Sequence, residues 1–407
     1  MKNRHICIVG GGASGMLAAI ACRLAGSEVT LLERNAKLGR KILATGNGRC
    51  NFTNINAAST HYNHPPFVEK VFEQFNVEKT LNFFELIGIY PKIEDEGKAY
   101  PLSEQAQSIN MLLHDELNRI GVTIVYDSYV ESIKKEGTQF LIETNAYTYQ
   151  ADRVILATGG LALPQSGSDG HGYEMAKSFG HSIVTCLPSL TKLNLDSPYL
   201  KQMDGVKFPG SVTLWVDKHP VQQESSDILF TNYGISGPGV LQLSRHANHS
   251  IHQQRDVWIS VRLINYLDKY ALIKQFRKMK DKPIATVLTG MIQQKLIPPV
   301  LKSCDIDKDE MIKNIHKDNF QRCLDLLFDW RFKVTGSKGY TDAQVTMGGI
   351  STHEINRHTL ESKRVKGLYF CGEVIDIDAR CGGYNLQWAW SSGYVAGRHA
   401  ATDNWEV

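Results

Sequence analysis

The chain has 407 residues, of which 42% are hydrophobic, and its formal net charge is +3. This length allows a sizeable core and two or three domains, and so small a charge does not by itself indicate a nucleic-acid partner. No apolar run reaches the roughly 18 residues of a membrane span, and a strand follows Met1 too closely for a signal peptide. The eight cysteines include no C-x-x-C pair. We therefore expect no metal site and a cytoplasmic protein with reduced thiols.

The first predicted strand leads into a glycine-rich turn. His5–Val9 is followed by a G-x-G-x-x-G pattern on Gly10, Gly12 and Gly15, then by an apolar helix and a strand that ends at Glu33. The glycines allow a tight turn, close approach of a pyrophosphate, and close packing of helix on strand. The acid is placed to accept hydrogen bonds from a ribose diol. This order predicts an adenine-dinucleotide site and favours FAD or NAD over NADP.

The segments up to residue 185 predict an α/β unit with a parallel sheet. A loop rich in glycine, asparagine and cations follows over 34–51 and suits a pyrophosphate and flavin edge. Two helices are predicted within 65–90, and a third over Ala106–Arg119 with its cap near Ser103. A strand is predicted over 121–126, with Tyr129–Ile133 as its continuation or partner, then a hairpin over 139–150. The strand over 153–157 ends in a second glycine turn, Thr158-Gly159-Gly160.

The remaining segments change character twice. Residues 192–263 alternate like antiparallel strands, and 266–327 read as helical. After residue 330 the chain reads as strand again, and an apolar strand near 367–371 precedes a glycine-rich segment and a helix over Trp388–His399. A bare dinucleotide needs no second glycine turn, whereas a flavin does. The N-terminus of this last helix is predicted to face the flavin edge where negative charge develops on reduction.

Four motifs together resemble one bacterial flavoprotein family, the YhiN/BaiN-like or aminoacetone-oxidase-like oxidoreductases. They are the glycine turn, Gly39–Asn51, Gly234–Pro238, and Cys371–Glu373 with Gly382–Gln387. The resemblance implies an α/β fold in which a discontinuous FAD-binding Rossmann-type domain of glutathione-reductase type carries an inserted antiparallel β domain and a small helical domain. The expected domains are an FAD-binding domain over 1–190 and 350–407, a β-rich substrate domain over 191–265 and 328–349, and a helical inserted domain over 266–327.

The resemblance also implies noncovalent FAD and the residues that hold it. At the pyrophosphate, the ribose and the adenine these are Gly10, Gly12, Ala13, Ser14, Gly15, Glu33, Arg34 and Val130. Along the cofactor and at its ribityl and flavin end they are Arg40, Lys41, Asn47, Gly48, Thr158, Gly159, Gly372, Glu373, Asp376, Asn385 and Leu386.

The catalytic groups are not readable from the sequence. Cys50 lies in a cationic segment of the kind that lowers a thiol pKa, but it lacks a partner cysteine and a packing role is favoured. Arg380 and His171 are candidates to bind a substrate carboxylate or to move a proton near the flavin. Single cations in loops are, however, more often solvated or bound to phosphate.

The expected function is that of an FAD-dependent oxidoreductase acting on a small organic substrate. The segments 157–160 and 167–172 are similar to those of fumarate-reductase-type flavoproteins, which points to NAD(P)H-linked reduction of an activated C=C bond. An amine oxidase that produces peroxide is an alternative. A further alternative is a flavin-binding sensor that contacts nucleic acid through Arg277–Lys282, although a solvated face explains that stretch better. The substrate and the oligomeric state are not readable.

Overall fold

The fold is described from a computed structural model, which covers residues 4–402. The predicted start at Met1 and the last five residues of the predicted FAD domain lie outside this range. The chain divides into unit 1, which runs to Leu187 and resumes at Gln344, and unit 2, Pro188–Ala343. The three predicted domain ranges stay a prediction. None of the helices within residues 4–402 has both the length and the apolar character of a membrane span.

The strands alternate with helices along unit 1 and dominate the first part of unit 2. In chain order they are β1 (His5–Val9), β2 (Glu28–Leu32), β3 (Thr53–Asn54), β4 (Pro91–Ile93), β5 (Lys98–Pro101), β6 (Thr123–Val125), β7 (Val130–Glu136), β8 (Gln139–Thr144), β9 (Thr148–Ala151), β10 (Arg153–Leu156), β11 (Ile183–Ser189), β12 (Leu193–Asp196), β13 (Lys207–Val216), β14 (His219–Thr231), β15 (Gly234–Ser236), β16 (Val257–Arg262), β17 (Trp330–Ser337), β18 (Val345–Ile350) and β19 (Leu368–Phe370).

The helices range from single turns to five turns. In chain order they are α1 (Ala13–Leu24), α2 (Arg40–Leu43), α3 (Pro65–Phe72), α4 (Val77–Leu86), α5 (Ala106–Arg119), α6 (His171–Ser178), α7 (Leu200–Met203), α8 (Pro238–His252), α9 (Lys269–Lys278), α10 (Ile284–Thr289), α11 (Ile297–Ser303), α12 (Lys317–Phe328) and α13 (Tyr384–Ala401).

A five-stranded sheet in the order β19-β10-β1-β2-β6 forms the centre of unit 1, and all its neighbours are parallel. Its strands carry continuous apolar runs, and Ile6, Ile8 and Val154 are fully buried. Such runs are typical of parallel strands that helices cover on both faces. The sheet confirms the predicted Rossmann-type fold, and it brings the residues that follow β1, β2, β10 and β19 to one edge.

Helix α13 packs closely on α1 through small residues. Gly393 and Gly397 lie one turn apart on α13, and a Cβ on either would fall far inside van der Waals contact of a backbone oxygen of α1, on Ser14 or Ala18 respectively. The thiol of Cys22 donates a hydrogen bond to the carbonyl oxygen of Gly397 at 3.1 Å. Only glycine lets two helix backbones approach this closely. This contact joins the first glycine turn to the C-terminal segment.

Three local expectations for unit 1 are corrected. Tyr129–Ile133 does not continue the parallel sheet, because β7 pairs with β8 in a separate antiparallel sheet β7-β8-β9. The predicted cap at Ser103 is wrong, since α5 begins after Gln105, whose side chain makes no capping bond. Helix α13 begins at Tyr384, four residues before the predicted Trp388, because its N-cap is a glycine with positive φ.

Unit 2 contains a closed antiparallel barrel in the order β12-β15-β14-β13-β16-β17. Along β13 buried and more exposed residues alternate, so that Val212, Leu214 and Val216 all point inward. This period of two is what a strand with one buried face requires. Helices α9 to α12 add residues such as Leu272 and Phe276 to the same apolar core. The antiparallel β region predicted from the alternation is thereby confirmed.

Candidate cofactor and active site

The turn after β1 leaves the N-terminus of α1 open to an anion. Gly12 is the N-cap, with an extended backbone and no side-chain capping bond, and the first turn of α1 holds no acid. A Cβ on Gly12 would meet nothing within 4 Å, whereas one on Gly10 or Gly15 would strike neighbouring backbone. Open space therefore borders Gly12, at the uncapped first turn of α1, which suits a pyrophosphate. Ala13 and Ser14 begin the helix here.

Glu33 is fixed at the end of β2 by three hydrogen bonds. Its Oε2 accepts from the backbone N–H of Gly11 at 2.8 Å, and its Oε1 accepts from the backbone and side-chain N–H groups of Asn35 at 2.8 and 2.6 Å. The residue is only 7% exposed. A carboxylate has about four acceptor positions, so one remains for a donor such as a ribose hydroxyl.

Arg34 and Val130 lie at the same end of unit 1. The Arg34 guanidinium stands 4.8 Å over the ring of Tyr129, the residue before Val130, and forms an ion pair with Asp169. It also donates to the carbonyl oxygen of Gly167 at 3.3 Å. Val130 is buried. The two residues predicted to hold the adenosine are thus brought together.

His171 is placed at this adenosine end, not near the predicted flavin end. Its ring stacks on Tyr129 with the ring centroids 5.1 Å apart, and its Nε2 lies 3.2 Å from the carbonyl oxygen of Glu131. Both neighbours flank Val130. The structure therefore places His171 beside Val130, which is predicted to contact the adenine, and a role of His171 beside the flavin stays a prediction that this position does not favour.

The cationic loop after β2 is tied to the C-terminal segment by one ion pair. Lys41 Nζ lies 2.5 Å from Glu373 Oε2, and Glu373 Oε1 accepts from the backbone N–H of Thr346 at 2.7 Å. Arg40 instead donates to the side-chain oxygen of Asn35 at 2.7 Å. Lys41 and Glu373, both predicted to contact the cofactor, are therefore direct partners of each other.

Four other predicted contacts lie in two glycine turns. Asn47 and Gly48 have positive φ, and a Cβ on Gly48 would meet nothing within 4 Å. After β10, Gly159 also has positive φ, and a Cβ there would crowd Ser168. The hydroxyl of Thr158 is buried and has no hydrogen-bond partner among the described residues. A buried unpaired hydroxyl is costly, so it is a ready contact for a bound group.

The segment after β19 meets the first glycine turn at Gly372. This residue has positive φ, and a Cβ on it would crowd the side chain of Ser14. Its N–H donates to the Ser392 hydroxyl at 2.9 Å, and the Trp388 indole N–H donates to its carbonyl oxygen at 3.1 Å. Two of the four motifs that carry the family resemblance, far apart in sequence, are therefore neighbours.

The side chains of Asp376 and Asn385 are engaged within the protein. Asp376 accepts from the Asn63 amide at 3.1 Å and lies 3.0 Å from His64 Nε2. Asn385 donates to the carbonyl oxygens of Ala379 and Arg380 at 3.0 and 3.2 Å, and accepts from the N–H of Ala379 at 3.0 Å. Asn385 thus holds the loop that carries Arg380, and its own N–H is the group left to contact a cofactor. Leu386 follows it in the first turn of α13.

The N-terminus of α13, like that of α1, has no side-chain cap, but its N-cap lies close to the protein's own backbone. Its N-cap, Gly383, has positive φ and makes no side-chain capping bond. A Cβ on Gly383 would strike the backbone of Thr53 and the side-chain oxygen of Asn51. That oxygen is buried and unpaired among residues 4–402. The helix start is therefore built to bring bare backbone close to another group.

A group of polar side chains near this helix start was missed from the sequence. The ring of His61 lies 4.8 Å from that of Tyr384, whose pKa is raised by burial and shifted by the charges of Arg380, Glu96 and Lys98. Lys98 and Glu96 form an ion pair at 2.5 Å. Nothing in their local sequence pattern marks these two residues, because Lys98 begins β5, Glu96 lies just before it, and this segment carries no motif.

Cys50 is not an activated thiol. It is fully buried, and burial raises its pKa to about 12 although a hydrogen bond with Thr45 opposes the shift. The cations beside it in the sequence do not offset the desolvation of a thiolate. The packing role favoured from the sequence agrees with this environment.

The residues of unit 1 fit FAD. The open N-terminus of α1 and the Glu33 carboxylate, which has one unused acceptor position, follow β1 and β2, and the N-terminus of α13 has no side-chain cap. Three buried side-chain oxygens without partners among the described residues border the same turns, namely Asn51 Oδ1, Asn110 Oδ1 and Thr158 Oγ1. Buried polar atoms are normally paired, so a bound polar group accounts for them.

A family model described as "HI0933-like protein Rossmann domain" matches residues 4–399. The chain belongs to the HI0933-like family. This is the family identified from the motifs, and the resemblance predicted from the sequence is confirmed. With its named relatives the family match makes the chain an FAD-dependent oxidoreductase.

Two curated relatives cover almost the whole chain. The chain is 37% identical over 405 residues to the 3-dehydro-bile acid delta(4,6)-reductase of Clostridium scindens, covering 98% of this chain and 99% of the relative. It is 33% identical over 396 residues to the ribosomal RNA dihydrouridine synthase of Haemophilus influenzae, covering 95% and 96%. The two names differ in substrate.

The fold is similar to that of a solved flavoenzyme structure. The 3-ketosteroid delta1-dehydrogenase of Sterolibacterium denitrificans superposes with a TM-score of 0.53 over 98% of this chain and 100% of that chain, at 13% identity. At this identity the likeness supports the fold and no residue role. The individual cofactor contacts assigned above stay predictions.

Proposed function

We propose that the protein reduces a carbon–carbon double bond that is conjugated with a carbonyl group. The observation that carries this proposal is that two relatives with different substrates are named for the same kind of bond change. A delta(4,6) bond system beside a 3-oxo group is a conjugated enone. Uridine becomes dihydrouridine when the ring double bond conjugated with a carbonyl is saturated. Such a bond accepts a hydride at one carbon and a proton at its neighbour.

FAD in its reduced form supplies the hydride in this chemistry. The residues of unit 1 would supply two kinds of support. Negative charge grows on the substrate carbonyl oxygen as the hydride arrives, and Arg380 and Lys98 are cations at the flavin end that stabilise such charge. Asn385 acts as a positioning residue, since its amide holds the backbone of the Arg380 loop.

We further propose that NAD(P)H is the electron donor and binds transiently. Each turnover consumes two electrons, and the glycine turn with Glu33 is assigned to FAD, so the nicotinamide nucleotide would bind elsewhere and leave after reducing the flavin. The cytoplasmic location expected from the sequence is compatible with this donor and stays a prediction.

A second candidate substrate is a uracil base within RNA. The similarity to the ribosomal RNA dihydrouridine synthase favours it, at nearly the same coverage as the bile-acid reductase. The bond change at the cofactor is the same for both candidates. They differ in the surface needed to bind the substrate, because a polynucleotide requires cations for its phosphates.

Anaerobic reduction and reoxidation test the proposed reaction. The FAD-loaded protein is mixed with NADH or NADPH, and bleaching of the flavin absorption identifies the donor. The reduced protein then receives a 3-oxo-Δ4-steroid or a uridine-containing RNA. We expect the flavin colour to return with the substrate and the product to gain two hydrogen atoms by mass spectrometry.

The carbonyl conjugation is tested with a matched substrate. A steroid with an isolated double bond and no 3-oxo group should leave the flavin reduced, because no carbonyl receives the charge. If an amine panel bleaches the flavin, oxygen restores it with peroxide, and no enone or uridine reoxidises it, the proposed reduction is wrong and the amine-oxidase alternative replaces it.

A further inference from the structure

One face of α9 in unit 2 combines exposed aromatic rings with cations. The helix buries Leu272 and Phe276, so its opposite face is in solvent. Tyr270 is 77% exposed, and Tyr266, just before the helix, is 89% exposed. Residues three, four, seven and eight positions apart share a helix face. The exposed face of α9 carries Tyr270, Lys274, Arg277 and Lys278, and Tyr266 is exposed just before the helix; we name these five residues the basic-aromatic surface.

The positive charge of the chain is concentrated at this surface. Residues 266–282 hold five lysines and one arginine against two aspartates, a net charge of +4, while the whole chain carries +3. Both aspartates have other partners. Asp268 caps α9 by accepting from the N–H of Ala271 at 2.7 Å, and Asp281 pairs with Lys313 at 2.9 Å. Lys269 is paired with Asp325, whereas within residues 4–402 the exposed cations Lys274, Arg277 and Lys278 form no ion pair and present their charge to solvent.

We propose that the basic-aromatic surface binds a single-stranded nucleic acid. Lysine and arginine attract backbone phosphates, and exposed tyrosine rings offer faces on which unpaired bases stack. The two exposed tyrosine rings distinguish this face from a charged face that is only solvated, because solvated cations do not require aromatic rings beside them. The proposal goes beyond the proposed reaction, since binding to this surface requires no turnover and is measured on the oxidised protein.

The salt dependence of binding tests the cations. The FAD-loaded full chain is titrated against a fluorescent RNA of about 12 nucleotides, within the site sizes of single-strand binders, and anisotropy is followed at several salt concentrations. Replacing all three cations (K274Q, R277Q, K278Q) should lower the slope of log Kd against log salt by about 2, because each phosphate that is no longer neutralised removes roughly 0.7 from the slope. The matched control replaces three exposed lysines elsewhere (K201Q, K218Q, K366Q), has the same net charge, and should keep the slope.

Stacking is tested with the two tyrosines. Changing both to alanine should weaken RNA binding by roughly 5- to 100-fold, as expected when stacked bases lose their platform. Changing both to phenylalanine keeps the ring faces and should keep the affinity. Both residues are solvent-exposed, so the thermal unfolding temperature should stay that of the wild type in each variant, which separates a binding defect from misfolding.

The outcomes decide the proposal. Equal affinity for RNA and DNA of the same sequence would support the proposal and indicate recognition through phosphates and base stacking. A preference for RNA would also support the proposal and would indicate additional contacts to the 2′-hydroxyl. Equal slopes for the triple variant of the basic-aromatic surface and its lysine control, or equal affinity of the alanine and phenylalanine variants, would overturn the proposal. Vesicles of anionic phospholipid that bind through these residues while RNA does not would also overturn it, in favour of a membrane surface. None of these results depends on the reductase reaction.

Discussion

Replacing Gly393, which is not itself a predicted cofactor contact, by alanine should weaken FAD binding. The added Cβ would fall inside contact of the carbonyl oxygen of Ser14, in the first turn of α1. Replacing Gly397 by alanine makes the same kind of clash one turn further on, at the carbonyl oxygen of Ala18. The two variants thus impose one perturbation at two distances from the open N-terminus of α1.

The clash sets the size of both effects. To admit the methyl group the two helices must separate by about 1 Å, and overpacking of this kind costs about 1–3 kcal/mol. A loss of 1 kcal/mol lowers Tm by about 2–4 °C for a domain of this size, so we expect both variants to lose roughly 2–12 °C. Only Gly393→Ala displaces the N–H groups of the first turn. Loss of one hydrogen bond to a charged phosphate costs about 1.5–3 kcal/mol, which is roughly 10- to 150-fold in FAD affinity.

Two measurements separate the effects. Thermal unfolding of the FAD-free proteins gives the packing cost, and titration of the FAD-free proteins with FAD gives the affinity. We expect similar Tm values for the two variants and a clearly weaker affinity for Gly393→Ala. Equal FAD affinities at equal Tm would refute the reasoning, because the first turn of α1 would then not hold the pyrophosphate.

Four further predictions concern single side chains. Glu33→Ala should weaken FAD binding by roughly 10- to 150-fold through loss of a charged acceptor, and an unchanged affinity in calorimetric titration would place the ribose elsewhere. Arg380→Gln should keep the FAD content and lower enone turnover at least about tenfold, so full turnover would remove this residue from the mechanism. Alkylation near pH 8 should spare Cys50 in the native protein, which peptide mass spectrometry checks. A hydrogen bond from Arg364 lowers the pKa of Glu354 from 4.5 to about 2. The contribution of Glu354 to stability is therefore full above about pH 4.5 and is lost as the pH falls through about 2. Glu354→Gln should cost roughly 1–3 kcal/mol of unfolding free energy at neutral pH and should flatten the loss of stability at acid pH in denaturant titrations.

The elements with strong local patterns could be predicted from the sequence. The apolar runs of β1 and β10 and the glycine turn between β1 and α1 depend on neighbours in the chain, and the structure has them where the pattern indicates. The helix over Ala106–Arg119 has the predicted bounds. The predicted cap at Ser103 is not formed, because several polar residues precede the helix and the sequence does not show which of them lies at the N-cap.

The site depends on contacts that no local pattern encodes. Lys98 and Glu96 come near the start of α13 from a distant part of the chain, where β5 pairs with β3 and β4, and His171 stacks on Tyr129, next to Val130. Cys50 shows how burial reverses an expectation, because the cations beside it in sequence act on a thiol that is removed from water. The sequence shows which residue types are present, but only the folded structure shows the distances between them.

The packing of α13 on α1 also orders events during synthesis. Cys22 and Gly397, which touch across the two helices, are 375 positions apart in the chain, and all of unit 2 is translated between them. A ribosome that has released the first glycine turn has therefore made only one wall of the predicted cofactor site. We expect FAD to bind tightly only after α13 has left the exit tunnel, so that FAD supply affects the yield of folded protein after translation and not during it.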